Sequence, residues 1–167
     1  MSETQRIFNA LRQLVRALRL NSSRIEDHTS LTGAQAFVLQ KIAPGEALTV
    51  NEIGTRTQTD QSSVSVVIKK LTAKKLVSKK RDPKDQRKFR ISLTSKGAEH
   101  AGKTMGLIQD RLLSAIDSLT TAEQKNLSVL LQKLNRLTQI DQEPTTLFFE
   151  DERPQKHATR LSHAKKA

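Results

Sequence analysis

Between Lys75 and Thr94 the apolar residues switch from the spacing of a helix to the spacing of a strand, and this switch limits the folds open to the chain. Before it, Val64, Val67, Ile68 and Leu71 recur at steps of three and four, which predicts a helix from about Gln61 to Lys75 with one apolar stripe. After it, Leu76 to Arg81 and Lys88 to Leu93 read as strands. In the second, Phe89, Ile91 and Leu93 share one face while Lys88 and Arg90 share the other. The residues between them, Asp82-Pro83-Lys84-Asp85-Gln86, have turn chemistry: proline fixes φ, and aspartate hydrogen-bonds its own backbone. The segment is therefore expected to be a helix followed by a basic hairpin that projects into solvent.

Helical patterns flank this unit on both sides. From about Thr4 to His28, Ile7, Leu11, Leu14, Leu18 and Ile25 trace one stripe. Thr32 to Gln35 matches a capping box in which the glutamine reaches back, and opens a short helix through Phe37, Val38, Leu39 and Ile42 that Pro44-Gly45 stops. Thr49 to Glu52 is a second box, opening a short helix that carries Val50 and Ile53. A polar turn from Thr57 to Asp60 follows, with Thr59 or Asp60 as the next N-cap. Beyond the hairpin, Ala101, Met105, Ile108, Leu112, Ile116 and Leu119 predict one long helix from Thr94 to about Ser118. A third box, Thr120 to Glu123, starts a final helix with Leu127, Leu130, Leu131, Leu134 and Leu137.

The expected fold is mainly α with a small β-hairpin wing, a winged helix-turn-helix flanked by long N- and C-terminal helices. Residues 1–30 form the N-terminal dimerisation helix, 31–94 the winged unit and 95–140 the C-terminal dimerisation helices. Residues 141–167 read as a polar, mobile tail, with Leu147-Phe148-Phe149 as a docking patch. Long leucine stripes at both ends exceed what a small winged domain can cover, so a second copy is expected to bury them.

Composition narrows the function classes. The 167 residues contain no Cys, Trp or Tyr and only five Phe, so a single core must be built from Leu, Ile, Val and Ala. Without cysteine there are no disulfides, thiolate nucleophiles, Cys-ligated zinc or thiol redox sensing. His28, His100, His157 and His163 are too scattered for a metal site, and no cofactor is expected. No Gly-rich phosphate loop, nucleophile elbow or paired histidines support an enzyme. No apolar run approaches the ~20 residues of a membrane span, and Met1 to Arg6 has no signal-peptide character, so a cytoplasmic protein is expected.

Charge points to a polyanion. From Gln61 to Arg90 eleven basic residues oppose only Asp82 and Asp85, a net of +9 out of +12 for the chain. A major groove admits one helix, and the helix from Gln61 offers Gln61, Ser62, Ser63, Ser65 and Val66 for base edges, with Lys69 and Lys70 for phosphates. The hairpin adds Lys79, Arg81, Lys84, Lys88 and Arg90, with Arg87 at its tip as a minor-groove probe. Two other readings fit the same charge: a module that meets an acidic protein, and an architectural DNA binder without sequence preference.

The order of these elements, Leu31 to Gln35, Asp82-Pro-Lys-Asp85-Gln-Arg87 and Leu93-Thr-Ser-Lys-Gly97 resemble the MarR (multiple antibiotic resistance regulator) family over about Ile7 to Gln139. The resemblance implies a homodimeric transcription regulator without enzymatic activity, by default a repressor. It would bind double-stranded DNA through the recognition helix in the major groove and Arg87 in the minor groove, with Asp85 as the salt-bridge partner beside Arg87. It also implies a small aromatic or amphipathic ligand as a further partner, although it carries over no pocket residues. Relatives that sense oxidants use an N-terminal cysteine that this chain lacks.

Overall fold

Short polar side chains that accept an orphan N–H set nearly every helix start. In the computed structural model, which describes residues 1–104, 106–142, 147 and 148, Ser2 caps α1 (Glu3–Thr29) and Thr32 caps α2 (Gly33–Gln40). Thr49 caps α3 (Val50–Thr57), and Asp60 caps α4 (Gln61–Ala73). The hairpin of β1 (Val77–Arg81) and β2 (Phe89–Leu93) follows. Thr94 then caps α5 (Ser95–Lys103), and Thr120 caps α7 (Thr121–Leu137). The intervening helix α6 (Ile108–Asp117) has apolar Leu107 at its N-cap; its Ile108 N–H instead donates to Asn21 Oδ1 of α1 at 3.2 Å. A 3-10 turn, Ile140–Gln142, closes the described helical region.

The boxes at Thr49 and Thr120 form in full, with each glutamate accepting the N-cap N–H. The one at Thr32 is half made. Gln35 N–H donates to Thr32 Oγ1 at 3.2 Å, but Gln35 is only 5% exposed and its Oε1 is buried without a partner. The reason is that α2 is apolar on almost every side, and every residue from Gly33 to Leu39 is buried. Gln35 is thus enclosed by packing instead of lying on a free helix surface.

That helix is the centre of the core, in contact with α1, α3, α4 and α5. Phe37, Val38 and Leu39 meet Ile53 of α3, Val64, Val67, Ile68 and Leu71 of α4, Leu76 and Val77 at the hairpin entry, and Ile91 of β2 in one cluster. The hairpin pairs antiparallel with Val77 opposite Leu93 and Arg81 opposite Phe89. Leu48 adds a single β-bridge on the other side of β2: its N–H reaches Ile91 O at 2.9 Å, and Ile91 N–H reaches Leu48 O at 2.7 Å. Ile91 is therefore bridged on both sides, and it is fully buried.

The Leu93-Thr94-x-x-Gly97 run has a direct structural basis. Thr94 caps α5 through Gly97 N–H (3.0 Å), while its own N–H donates to Leu76 O at 3.0 Å and its hydroxyl is shared between Lys75 O (2.9 Å) and Leu76 O (3.1 Å). Gly97 lies against that same carbonyl; a Cβ there would sit 1.9 Å from Leu76 O. The glycine lets α5 pack on the start of the wing.

Two expectations change. The single helix from Thr94 to Ser118 is instead α5 and α6, because Gly106 adopts φ +80° and the chain turns to bury Leu107 in the core. Met105, expected on its stripe, lies outside the described residues. The tail is not wholly free of the fold, since Leu147 is 6% exposed within the central cluster. Phe148 is exposed, and Phe149 lies outside the described residues, as does the tail beyond it.

Much of the apolar surface is uncovered. The first half of α1 exposes Ile7, Phe8, Leu11, Leu14 and Val15, with only Leu18 and Ile25 of its stripe buried. No residue of α7 is buried, and Leu127, Leu130, Leu131, Leu134 and Leu137 are all exposed.

Candidate nucleic-acid interface

Helix α4 is divided cleanly by the core. Val64, Val67, Ile68 and Leu71 hold it inward. Gln61, Ser62, Ser65, Val66 and Lys69 therefore face solvent together, with Lys70 half-buried beside them. Asp60 fixes the start of this face. Its carboxylate accepts Ser63 N–H and Ser63 Oγ, each at 2.9 Å, and a short bond from the Ser62 hydroxyl. These bonds, the Ser62 hydroxyl foremost and then the Ser63 amide and hydroxyl, lower the Asp60 pKa to about 2. Ser63 is thereby buried at the cap and is separated from the exposed face on which the sequence reading placed it.

A neutral groove adjoins this face. The turn between α3 and α4 folds tightly because Thr59 N–H reaches Gly54 O at 3.0 Å, and a Cβ on Gly54 would lie 2.8 Å from Thr59 O. Asn51, Thr55 and Gln58 follow one another at steps of four and three on the exposed side of α3. With Gly54, Thr59 and Gln61 they line an open groove of about 480 Å³. No motif in the sequence assigns a role to Asn51, Thr55 or Gln58. The available signal was their period, which is complementary to inward Ile53 and Thr57.

The wing is organised around Asp82. Although charged it is buried, and it accepts Lys84 N–H at 2.8 Å and Arg90 Nε–H at 2.6 Å. The Arg90 guanidinium beside it holds the Asp82 carboxyl below the usual range, with the Lys84 amide adding to this. Arg90 also donates to Ala47 O and Glu52 Oε2, both at 3.2 Å, and so ties β2 to the start of α3. The Glu52 pKa is likewise lowered, first by the Thr49 amide and hydroxyl and then by nearby Arg90. Arg81 donates to Gln86 O at 2.8 Å, and both Arg81 and Lys79 lie over the Phe89 ring, 5.4 and 4.1 Å from its centroid. Arg81 and Arg90 thus brace the hairpin through bonds to its own loop and to neighbouring elements. At the tip Arg87 is different: its side chain is 95% exposed, with Nε 3.5 Å from Asp85 Oδ1. Asp85 also accepts Arg87 N–H at 3.1 Å and lies 3.5 Å from Lys88 Nζ. Lys84 and Lys88 are exposed on either side.

Among the described residues no cluster of His, Asp and Glu could hold a metal, and no helix is long and apolar enough to cross a membrane.

Known proteins share this architecture and its regulatory role. Residues 21–104 match the family described as the transcriptional regulator SarA/Rot. The HTH-type transcriptional repressor MdtR of Bacillus subtilis is 26% identical over 142 residues, covering 85% of this chain and 90% of that one. Bordetella bronchiseptica BpsR, described by regulation of its DNA binding by 6-hydroxynicotinic acid, superposes with a TM-score of 0.55 at 25% identity. The match covers 81% of this chain and 96% of BpsR. A mutant of Escherichia coli MarR complexed with operator DNA gives 0.52 at 25% identity, covering 78% and 91%. The chain belongs to the SarA/Rot family of transcriptional regulators and is a DNA-binding winged-helix protein of the MarR type.

Proposed function

We propose that the protein is a repressor that binds a near-palindromic operator as a homodimer, and that a small aromatic or amphipathic ligand releases it. The observation that carries the DNA reading is the division of labour along α4 and the wing. Buried residues hold the scaffold, while Gln61, Ser62, Ser65, Val66 and Lys69 stand on one exposed face and Arg87 stands clear of the wing tip. In this reading α4 enters the major groove, Lys69, Lys70, Lys84 and Lys88 neutralise phosphates, and Arg87 enters the minor groove. Asp85 holds the Arg87 side chain to the wing tip through one contact at 3.5 Å. Ser63, Arg81 and Arg90 serve as positioning residues: Ser63 is buried at the helix cap, Arg81 is bonded to the hairpin loop, and Arg90 is bonded to Asp82, Ala47 and Glu52.

The dimer reading is supported by the uncovered stripes of α1 and α7, so that residues 1–30 and 95–140 supply the interface and 31–94 the DNA-binding unit. A two-fold dimer presents two α4 helices, which favours half-sites about one helical turn apart. Repression is supported by the MdtR relative, and ligand release by BpsR; release would act by shifting the separation of the two α4 helices.

Fluorescence anisotropy with genomic fragments flanking the coding region, against scrambled competitor at ~0.15 M salt, tests this reading. Selective binding to one fragment is expected, and Arg87→Ala should weaken it by ~1–3 kcal/mol. Binding that ignores sequence would replace the regulator by an architectural role. Unchanged affinity in a folded Arg87→Ala variant would remove Arg87 from the interface.

A further inference from the structure

The groove between α3 and α4 stands out because no charged side chain lines it, in a chain of net charge +12 whose charge is concentrated in the adjoining α4 and wing. Its wall is made of amides and hydroxyls: Asn51, Thr55, Gln58, Thr59 and Gln61, over the Gly54 floor. Phosphates call for cations, whereas base edges are recognised by neutral donor and acceptor pairs at fixed spacing. A neutral polar groove beside a basic face is therefore suited to bases rather than to backbone.

Gln58 is the residue of interest within it. It occupies the left-handed position that ends α3, with φ +52°, where glycine or asparagine fits with less strain. The backbone requirement of the turn would be met better by glycine, so the glutamine side chain is not there to shape the turn. Its Nε2 donates to Thr55 O at 3.3 Å, a long bond that uses one amide hydrogen and leaves the other, with Oε1, for a ligand. A carboxamide presenting one donor and one acceptor matches N7 and N6 of adenine in the major groove.

We propose that this groove reads operator bases alongside the exposed face of α4, and that Gln58 is a specificity-determining residue selecting adenine. The proposal rests on the major-groove placement of α4 given above. It extends the reading surface from α4 across the turn onto α3 and divides the interface chemically, with the neutral groove giving selectivity and the surrounding lysines giving affinity.

The test uses the full chain and a pool of random duplexes. After selection, wild type, Gln58→Gly and Gln58→Glu are titrated against the enriched duplex and all its single-base-pair variants, with thermal melts in parallel. At one A·T pair per half-site, wild type should discriminate by roughly 5- to 150-fold, the range of a bidentate amide–adenine contact. Gln58→Gly should keep its melting temperature, because glycine suits the left-handed turn, and should keep its salt dependence, because no phosphate contact is lost. It should lose discrimination at that one pair. Gln58→Glu, of the same size, should shift the preference there towards cytosine. Full discrimination retained by Gln58→Gly, or an unchanged adenine preference in Gln58→Glu, would overturn the proposal and leave Gln58 as a helix cap. Enrichment of no sequence at all would overturn the underlying DNA reading as well, so the two failures are distinguishable.

Discussion

Replacing Gly97 by alanine isolates the contact that joins the wing to α5. A Cβ there would meet Leu76 O at 1.9 Å and Leu76 C at 2.9 Å, whereas ordinary contact begins near 3.4 Å, so the two backbones must separate by about 1.5 Å. Both are anchored. Leu76 O accepts from Thr94 N–H and Thr94 Oγ, and the Leu76 N–H donates to Leu71 O at 3.0 Å, so the carbonyl has no soft side chain to move aside. Overpacking of this kind costs ~1–3 kcal/mol. Weakening the two bonds to Leu76 O adds ~1 kcal/mol each, and the better helix propensity of alanine returns ~1 kcal/mol. The net loss is ~2–4 kcal/mol, or a fall in melting temperature of roughly 4–16 °C for a chain of this size. Gly102 provides an internal control. It lies in the same helix with nothing within 4 Å of an added Cβ, so Gly102→Ala should raise stability by ~0.5–1 kcal/mol. Thermal melts followed by circular dichroism, with urea unfolding as a second measure, read both variants. A Gly97→Ala protein that melts at or above wild type would refute the reasoning, because propensity would then outweigh the clash.

Other outcomes follow from the same geometry. Asp60 has a folded-state pKa near 2, below its ordinary 3.8, so its contribution is fully present above about pH 4 and is lost as pH falls towards 2. Melting temperature against pH should therefore drop less steeply across this window in Asp60→Asn than in wild type, and parallel curves would exclude Asp60 as a source of the acid sensitivity. Leu147→Ala should cost ~2–4 kcal/mol by opening a cavity in the central cluster, and truncation after Gln142 should cost at least as much. An unchanged urea midpoint in both would return this segment to the free tail that the sequence suggests.

The sequence was most informative where local chemistry decides the structure. The threonine caps at Thr49 and Thr120 need only residues three apart, and the alternation around Ile91 needs only its neighbours, so these elements appear where the pattern places them. The DNA-binding fold and its family were legible for the same reason, through the Asp82 to Arg87 tip and the Leu93 to Gly97 run. Non-local partners were not legible. Arg90 looked like one more cation on the outer face of β2, yet Asp82, Glu52 and Ala47 O all claim it from outside its strand. Leu48 pairs with Ile91 across 43 residues, and nothing around Leu48 reads as a strand. Gly106 did carry a signal, since glycine inside a helical stripe can end a helix, but the apolar spacing of Ile108 and Leu112 continues across it and masks the break. Leu147 is embedded in a polar segment, so its burial depends on where the chain returns after α7 and not on any local period. Ser62 and Ser63 are adjacent, chemically identical and both bonded to Asp60; only the helical phase set by that cap buries Ser63 and leaves Ser62 on the exposed face.

Selective recognition of DNA by a two-fold dimer is tested most directly by the mass of the complex. Sedimentation velocity of the full chain, alone and with a selected duplex at ~0.15 M salt, measures both partners in one experiment. Two 18.7 kDa chains should be found in the free protein and two per duplex carrying both half-sites, with no complex of that size on a scrambled duplex. A monomer that binds single half-sites, or equal binding to the scrambled duplex, would contradict the proposal that α1 and α7 form the dimer interface and that α4 reads the operator.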